Sequence, residues 1–203
     1  MSTSNIIPGK PPPEYKEVLY WKISDKTSRA IIMNLLSLPL AIVFGIGFFV
    51  FVNMFGKPQE INIEILNFGL ILIIGIIAIV ILHELAHGIA MQAYGAQAKY
   101  GFIWKGLMFY ATSPGYAFQR NQYIVIILAP LVSLSILACL GILVLAGTTV
   151  VWMLAVWGTI NGSAAIGDLW IMTIALHYPS YAYVIDEHDG MRVFMPENES
   201  GSE

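Results

Sequence analysis

Charge is the scarce ingredient of this chain. Asp, Glu, Lys and Arg make up 11% of its 203 residues, against 57% hydrophobic ones, whereas soluble domains carry about 25% charged residues. A surface so poor in charge excludes an ordinary soluble globule, because water has too little to solvate. The deficit is also localised. No charged residue stands between Arg29 and Lys57, none between Glu64 and Glu84, and none between Arg120 and Asp168. A helix needs about 20 apolar residues to cross a bilayer, and the last gap is long enough for two crossings. Four spans are therefore expected, at 30–55, 65–94, 122–146 and 150–176. Cysteine is almost missing as well. The lone Cys139 excludes an internal disulfide and reads as a small buried apolar residue. A cleaved signal peptide is not expected, since a polar stretch of about 29 residues precedes a first apolar run too long for an h-region.

The little charge present is ordered. Lys10, Lys16, Lys22, Lys26 and Arg29 precede the first span, and Lys99, Lys105 and Arg120 follow the second, while Lys57 stands alone and the turn at Gly147-Thr148-Thr149 has none. The positive-inside rule then puts both termini and the 95–120 segment in the cytosol. The expected architecture is an all-α membrane protein of four transmembrane helices with small cytosolic β-hairpins, its localisation a multi-pass cytoplasmic membrane. It divides into an N-terminal arm (1–29), a four-span core (30–176) and a C-terminal hairpin and tail (177–203). "GKPPPEYK" marks the arm as polyproline-like, and "EVLYWKIS" at 17–24 favours a short strand. "KYGFIW" and "LMFYAT" flank Lys105-Gly106 as a hairpin within 96–118, cytosolic or re-entrant, followed by a turn at Ser113-Pro114-Gly115. The tail "YAYVIDEHDGMRVFM" repeats the hairpin pattern around 187–190. Pro39 is expected to kink the first span. Pro130 is tolerable in the third because neighbouring helices can satisfy the freed carbonyl.

Against this apolar background, "ILHELAHGIAM" at 81–91 carries His-Glu-x-x-His. On a helix His83 and His87 stand one turn apart and point the same way, so both imidazoles can hold one metal ion. Glu84 lies about 60° around the helix from His87, flanking the ion where a general base takes a proton from bound water. Zinc lowers the pKa of that water toward about 7 and polarises a scissile carbonyl. A plainer reading makes the histidines hydrogen-bonded links between helices. Its weakness is cost, because each ionisable residue inside a membrane costs about 2.5–3.5 kcal/mol even on the lenient insertion scale. A catalytic zinc wants three protein ligands and an open position. Asp168 is the only other carboxylate in a span, two helical turns beyond Asn161 in "WGTINGSAAIGDLWIM". Gly158, Gly162 and Gly167 around it permit the close helix approach that a short Asp side chain requires. A buried, protonated Asp on a packing face is the alternative. His177 reads as an interfacial polar residue, and His188 as part of a solvated turn. Gly158-x-x-x-Gly162 fits dimerisation or packing within the chain equally well.

These residues resemble the site-2 protease family of intramembrane zinc metalloproteases, closest to its short "putative zincin peptidase" branch. The resemblance covers roughly 65–176. It implies His83, His87 and Asp168 as ligands of Zn2+, Glu84 as the catalytic glutamate, and Asn161 as a residue that holds substrate or the oxyanion. It also implies peptide-bond hydrolysis at or within the membrane, with a membrane-protein or peptide substrate, lipid as the surrounding partner and no nucleic acid. The chain departs from better-known members in reading Gly167-Asp168-Leu169 where they have Leu-Asp-Gly, and in having no Pro between Asn161 and Asp168. Two other readings use the same residues: a non-catalytic zinc-containing binding or regulatory protein, and a zinc or proton pathway. The pathway would require further polar residues along the spans, and the outer halves supply few.

Overall fold

A computed structural model describes residues 7–57, 65–103 and 108–197. Four of its helical segments are long and apolar enough to cross a membrane: Thr27–Gly56, Gly69–Ala93, Arg120–Val144 and Val150–Leu176. Their bounds fall within a few residues of the four expected stretches at 30–55, 65–94, 122–146 and 150–176. The chain forms, in order, β1 (Tyr15–Lys22), α1 (Thr27–Phe51), α2 (Ile65–Ala93), β2 (Lys99–Ile103), β3 (Met108–Thr112), β4 (Ala117–Gln119), α3 (Arg120–Val144), α4 (Val150–Ala164), α5 (Ile166–Leu176), β5 (Tyr183–Glu187) and β6 (Gly190–Pro196). About 61% is helical. The all-α expectation is therefore corrected, because six strands form a four-stranded sheet in the order β1-β6-β5-β4 and a separate β2-β3 hairpin. The individual runs other than β4 were recognisable as β-prone. Their assembly was not, because β-pairing links segments far apart in sequence.

The fourth span also departs from expectation. It is not one helix but two, with Ala165 at φ −68° and ψ 5° closing α4, its N–H donating to the Asn161 carbonyl. A ψ near zero turns the chain out of the α-helical path. Asp168 thus lies in the first turn of α5 rather than on the helix that carries Asn161.

The residues divide into two compact units, with boundaries inside the helices. The first draws on Met1–Ile31, His87–Ala129 and Asp168–Glu203. It contains the four-stranded sheet, so the expected arm and tail share one layer: β1 pairs with β6 from Tyr15↔Pro196 to Lys22↔Gly190. Its core joins Phe118, Val184, Met191 and Val193 of the sheet to Met91, Tyr123 and Ile126 of the helices. Gly190 lets β1 and β6 approach closely, since a Cβ there would fall 2.0 Å from the Trp21 carbonyl oxygen. Gly95, at φ +87°, ends α2 in the left-handed conformation that such caps favour. The hydroxyl of Tyr116 donates to the Tyr94 carbonyl beside it at 2.6 Å.

The second unit comprises Ile32–Ala86 and Pro130–Gly167. Phe48, Val52, Ala138, Ile142, Val151 and Ala155 form its core, with half-buried Cys139 against it. Gly158 and Gly162 are filled within the chain by the rings of Phe48 and Phe44, each of which would meet an added Cβ at 2.3 Å. After Pro39 α1 continues as helix and ends in a π-helical turn, Val52–Gly56. Leu35, Ile42, Ile46, Ile74 and Leu137 all point outward, as a hydrocarbon solvent allows.

Candidate metal centre

His83 and His87 lie one turn apart on α2. The environment of each ring decides which nitrogen is left for a ligand. His87 Nδ1 is 2.9 Å from the Ile126 carbonyl oxygen. A carbonyl only accepts, so Nδ1 carries the proton and Nε2 keeps its lone pair. That carbonyl is available for a reason written in α3. Its usual helical donor would be the amide four residues later, and residue 130 is proline, with no N–H. The neighbouring-helix donor expected for the carbonyl that Pro130 frees is the histidine itself.

His83 is fixed in the same way. Its Nδ1 is 3.1 Å from Asn161 Oδ1, and Asn161 Nδ2 donates to the Pro130 carbonyl at 3.4 Å. Because a carbonyl cannot donate, the amide nitrogen must face Pro130 and the amide oxygen His83. His83 Nδ1 therefore donates, the arrangement in which Nε2 is the nitrogen that can ligate. Asn161 is completely buried, and both ends of its amide are engaged by these two partners.

Asp168 stands against the second histidine, with Oδ1 3.4 Å from His87 Nε2 and side-chain exposures of 19% and 12%. Candidate ligand atoms of His83, His87 and Asp168 all lie within 4.8 Å of one another. Two zinc ligands at about 2.0–2.1 Å and a tetrahedral angle stand about 3.3 Å apart, close to the His87–Asp168 separation. Two imidazoles whose Nδ1 atoms face acceptors, together with one carboxylate, make a donor set of the kind that holds zinc, so these residues fit the ion. Glu84, beside His83 on the same helix, is half-buried. His177 and His188 are elsewhere: the first faces the Thr173 carbonyl at 2.6 Å, and the second lies exposed 3.7 Å from Asp189.

One residue near the centre escaped the sequence reading. Asp186, on β5, accepts a hydrogen bond from the Tyr123 hydroxyl at 3.0 Å, and the Thr112 hydroxyl donates to its backbone carbonyl at 3.2 Å. Burial of the carboxyl pushes its pKa up to about 7; bonds from Thr112 and Tyr123 and the field of His87 oppose the rise, and Asp168 adds to it. Its only signal in the sequence is an acid at an inward position of "YVIDE". That is weak, because Glu187 and Asp189 stand close by in an evidently solvated turn.

A family model described as "Putative zincin peptidase" matches residues 76–183, a stretch that contains both histidines, Glu84, Asn161 and Asp168. No curated protein and no solved structure matches the chain.

Proposed function

We propose, since the chain belongs to the "Putative zincin peptidase" family, that it is a membrane-embedded zinc metalloendopeptidase that cuts peptide bonds within or next to the bilayer. One observation carries this reading: two histidines in His-Glu-x-x-His register, each with Nδ1 occupied by an acceptor, gather with Asp168 inside 4.8 Å. In this reading His83, His87 and Asp168 hold the ion. Zinc held by these residues would supply Lewis acidity. Glu84 takes the proton of the attacking water and passes it to the leaving amine. Asn161 and the Ile126 carbonyl keep the two imidazoles in the ligating tautomer, as groups behind a metal's ligands do.

The substrate is an extended peptide or a locally unwound membrane-protein segment. The β2–β3 hairpin, which follows the motif helix, offers a strand edge for main-chain pairing. The four apolar helices and the distribution of Lys and Arg favour a multi-pass protein with cytosolic termini.

The test is zinc content by mass spectrometry on detergent-purified protein, alongside cleavage of an unstructured membrane-tethered reporter. Wild type is expected to carry about one zinc per chain and to cleave. His83→Ala and Asp168→Ala should lose the metal, and Glu84→Gln should keep it without cleaving. Absence of zinc from folded wild type would refute the reading. Full function in Glu84→Gln would favour a non-catalytic zinc protein.

A further inference from the structure

Hydrolysis of an amide piles negative charge on the carbonyl oxygen, and a protein donor aimed at that oxygen accelerates the step by about 10²–10³-fold. The resemblance to site-2 proteases points to Asn161 for this task. In the structure that amide has no exposed surface and faces His83 and Pro130. The donor has to come from another element.

The tyrosines following the motif helix separate clearly. Tyr116 donates its hydroxyl to the Tyr94 carbonyl, and Tyr123 donates to Asp186. The Tyr110 hydroxyl lies over Gly101 of its own hairpin, 2.3 Å from where a Cβ would stand. Tyr100, on β2, is different: its hydroxyl oxygen occupies the side-chain position of Gly88, 2.0 Å from an ideal Cβ there, with Cζ at 2.5 Å. Gly88 directly follows His87 and lies one turn beyond Glu84. Side chains four apart on a helix have Cβ atoms about 5–6 Å apart, and Cβ bonds tilt toward the helix N-terminus. A hydroxyl in the place of side chain 88 is therefore on the flank of the helix that carries Glu84.

We infer that Tyr100 is a catalytic residue whose hydroxyl donates a hydrogen bond to the oxygen of the scissile carbonyl as water adds, and that Gly88 is glycine to admit it. The inference rests on the metallopeptidase reading above. Tyr100 keeps its proton throughout. Water oxygen bonds to the carbonyl carbon, the water proton passes through Glu84 to the departing nitrogen, and the C–N bond breaks.

The experiment compares wild type, Tyr100→Phe, Gly88→Ala and the double variant in zinc content, kcat, KM and affinity for a phosphinic peptide that mimics the tetrahedral geometry. Tyr100→Phe is expected to keep its zinc and its KM while kcat and phosphinic-peptide affinity both fall on the order of 10²-fold. Gly88→Ala, which displaces the phenol, should reproduce that loss, and the double variant should add almost nothing to it. A zinc-loaded, active wild type with an unimpaired Tyr100→Phe variant would overturn this inference and leave the metallopeptidase reading standing. Additive losses in the double variant would overturn it too. A wild type with neither zinc nor cleavage overturns the underlying reading instead.

Discussion

Asn161→Leu removes the amide that faces His83 while keeping the branching of the side chain. Its effect can be worked from the hydrogen bonds. Without metal, the His83 ring can exchange tautomers or rotate to find another partner. With Nε2 on the metal it can do neither, and its Nδ1–H is left unpaired in a buried site. That asymmetry puts the penalty on the bound state alone. An unpaired buried donor costs about 1–3 kcal/mol, so the zinc dissociation constant should rise about 5–150-fold. Changes in groups behind a metal's ligands typically cost 10–100-fold, which agrees. The assay is competition with a chromophoric zinc chelator in detergent at one fixed pH, with the melting temperature of metal-free protein as the folding control. An affinity within about twofold of wild type would refute the orienting role, since even the weakest hydrogen bond considered predicts more. If cleavage fell while zinc affinity held, the amide would be serving the substrate instead.

Pro130→Ala restores an amide that competes with His87 for the Ile126 carbonyl. The apo protein should melt higher, because interior proline is unfavourable in helices, yet bind zinc up to about tenfold more weakly, as the same chelator competition would reveal. Asp186 has its carboxyl pKa raised from 3.8 to about 7, so the folded state holds a proton that the unfolded chain releases between those values. Stability of the metal-free protein should therefore decline as pH rises through that window. Asp186→Asn should flatten the decline in melting temperature measured against pH. Gly162→Ala should destabilise more than Gly158→Ala in thermal melts, since an added methyl meets the near end of the Phe44 ring at Cγ but the far end of the Phe48 ring at Cζ. Gly190→Ala should be the most damaging of the three, by about 2 kcal/mol or more, because the obstruction is the Trp21 backbone.

The long apolar helices, the hairpins and the grouping of His83, His87 and Asp168 were legible because each rests on local rules. Missing charge over 20 residues marks a helix apolar enough to cross a membrane, the β-prone run in "YAYVIDE" marks a strand, and a four-residue interval aligns His83 with His87. The break at Ala165 was not legible. "INGSAAIGD" contains no proline, and its glycines read as packing residues as readily as a helix end. The four-stranded sheet was hidden because β1 and β6 are brought together by about 170 intervening residues, whose contribution no window along the sequence records. The role of Pro130 was half visible. Its freed carbonyl followed from chemistry, but the identity of the donor required His87 and Ile126 to be seen together.

The sheet order also has a consequence in time. Its two central strands, β5 and β6, are the last of the described elements to leave the ribosome, while the outer strands β1 and β4 are made before them and have only those strands to pair with. All four helices that can cross a membrane are complete before either outer strand finds its partner. Sheet pairing therefore waits for β5 and β6: a copy halted between Asp168 and β5 would carry His83, His87 and Asp168 without the sheet.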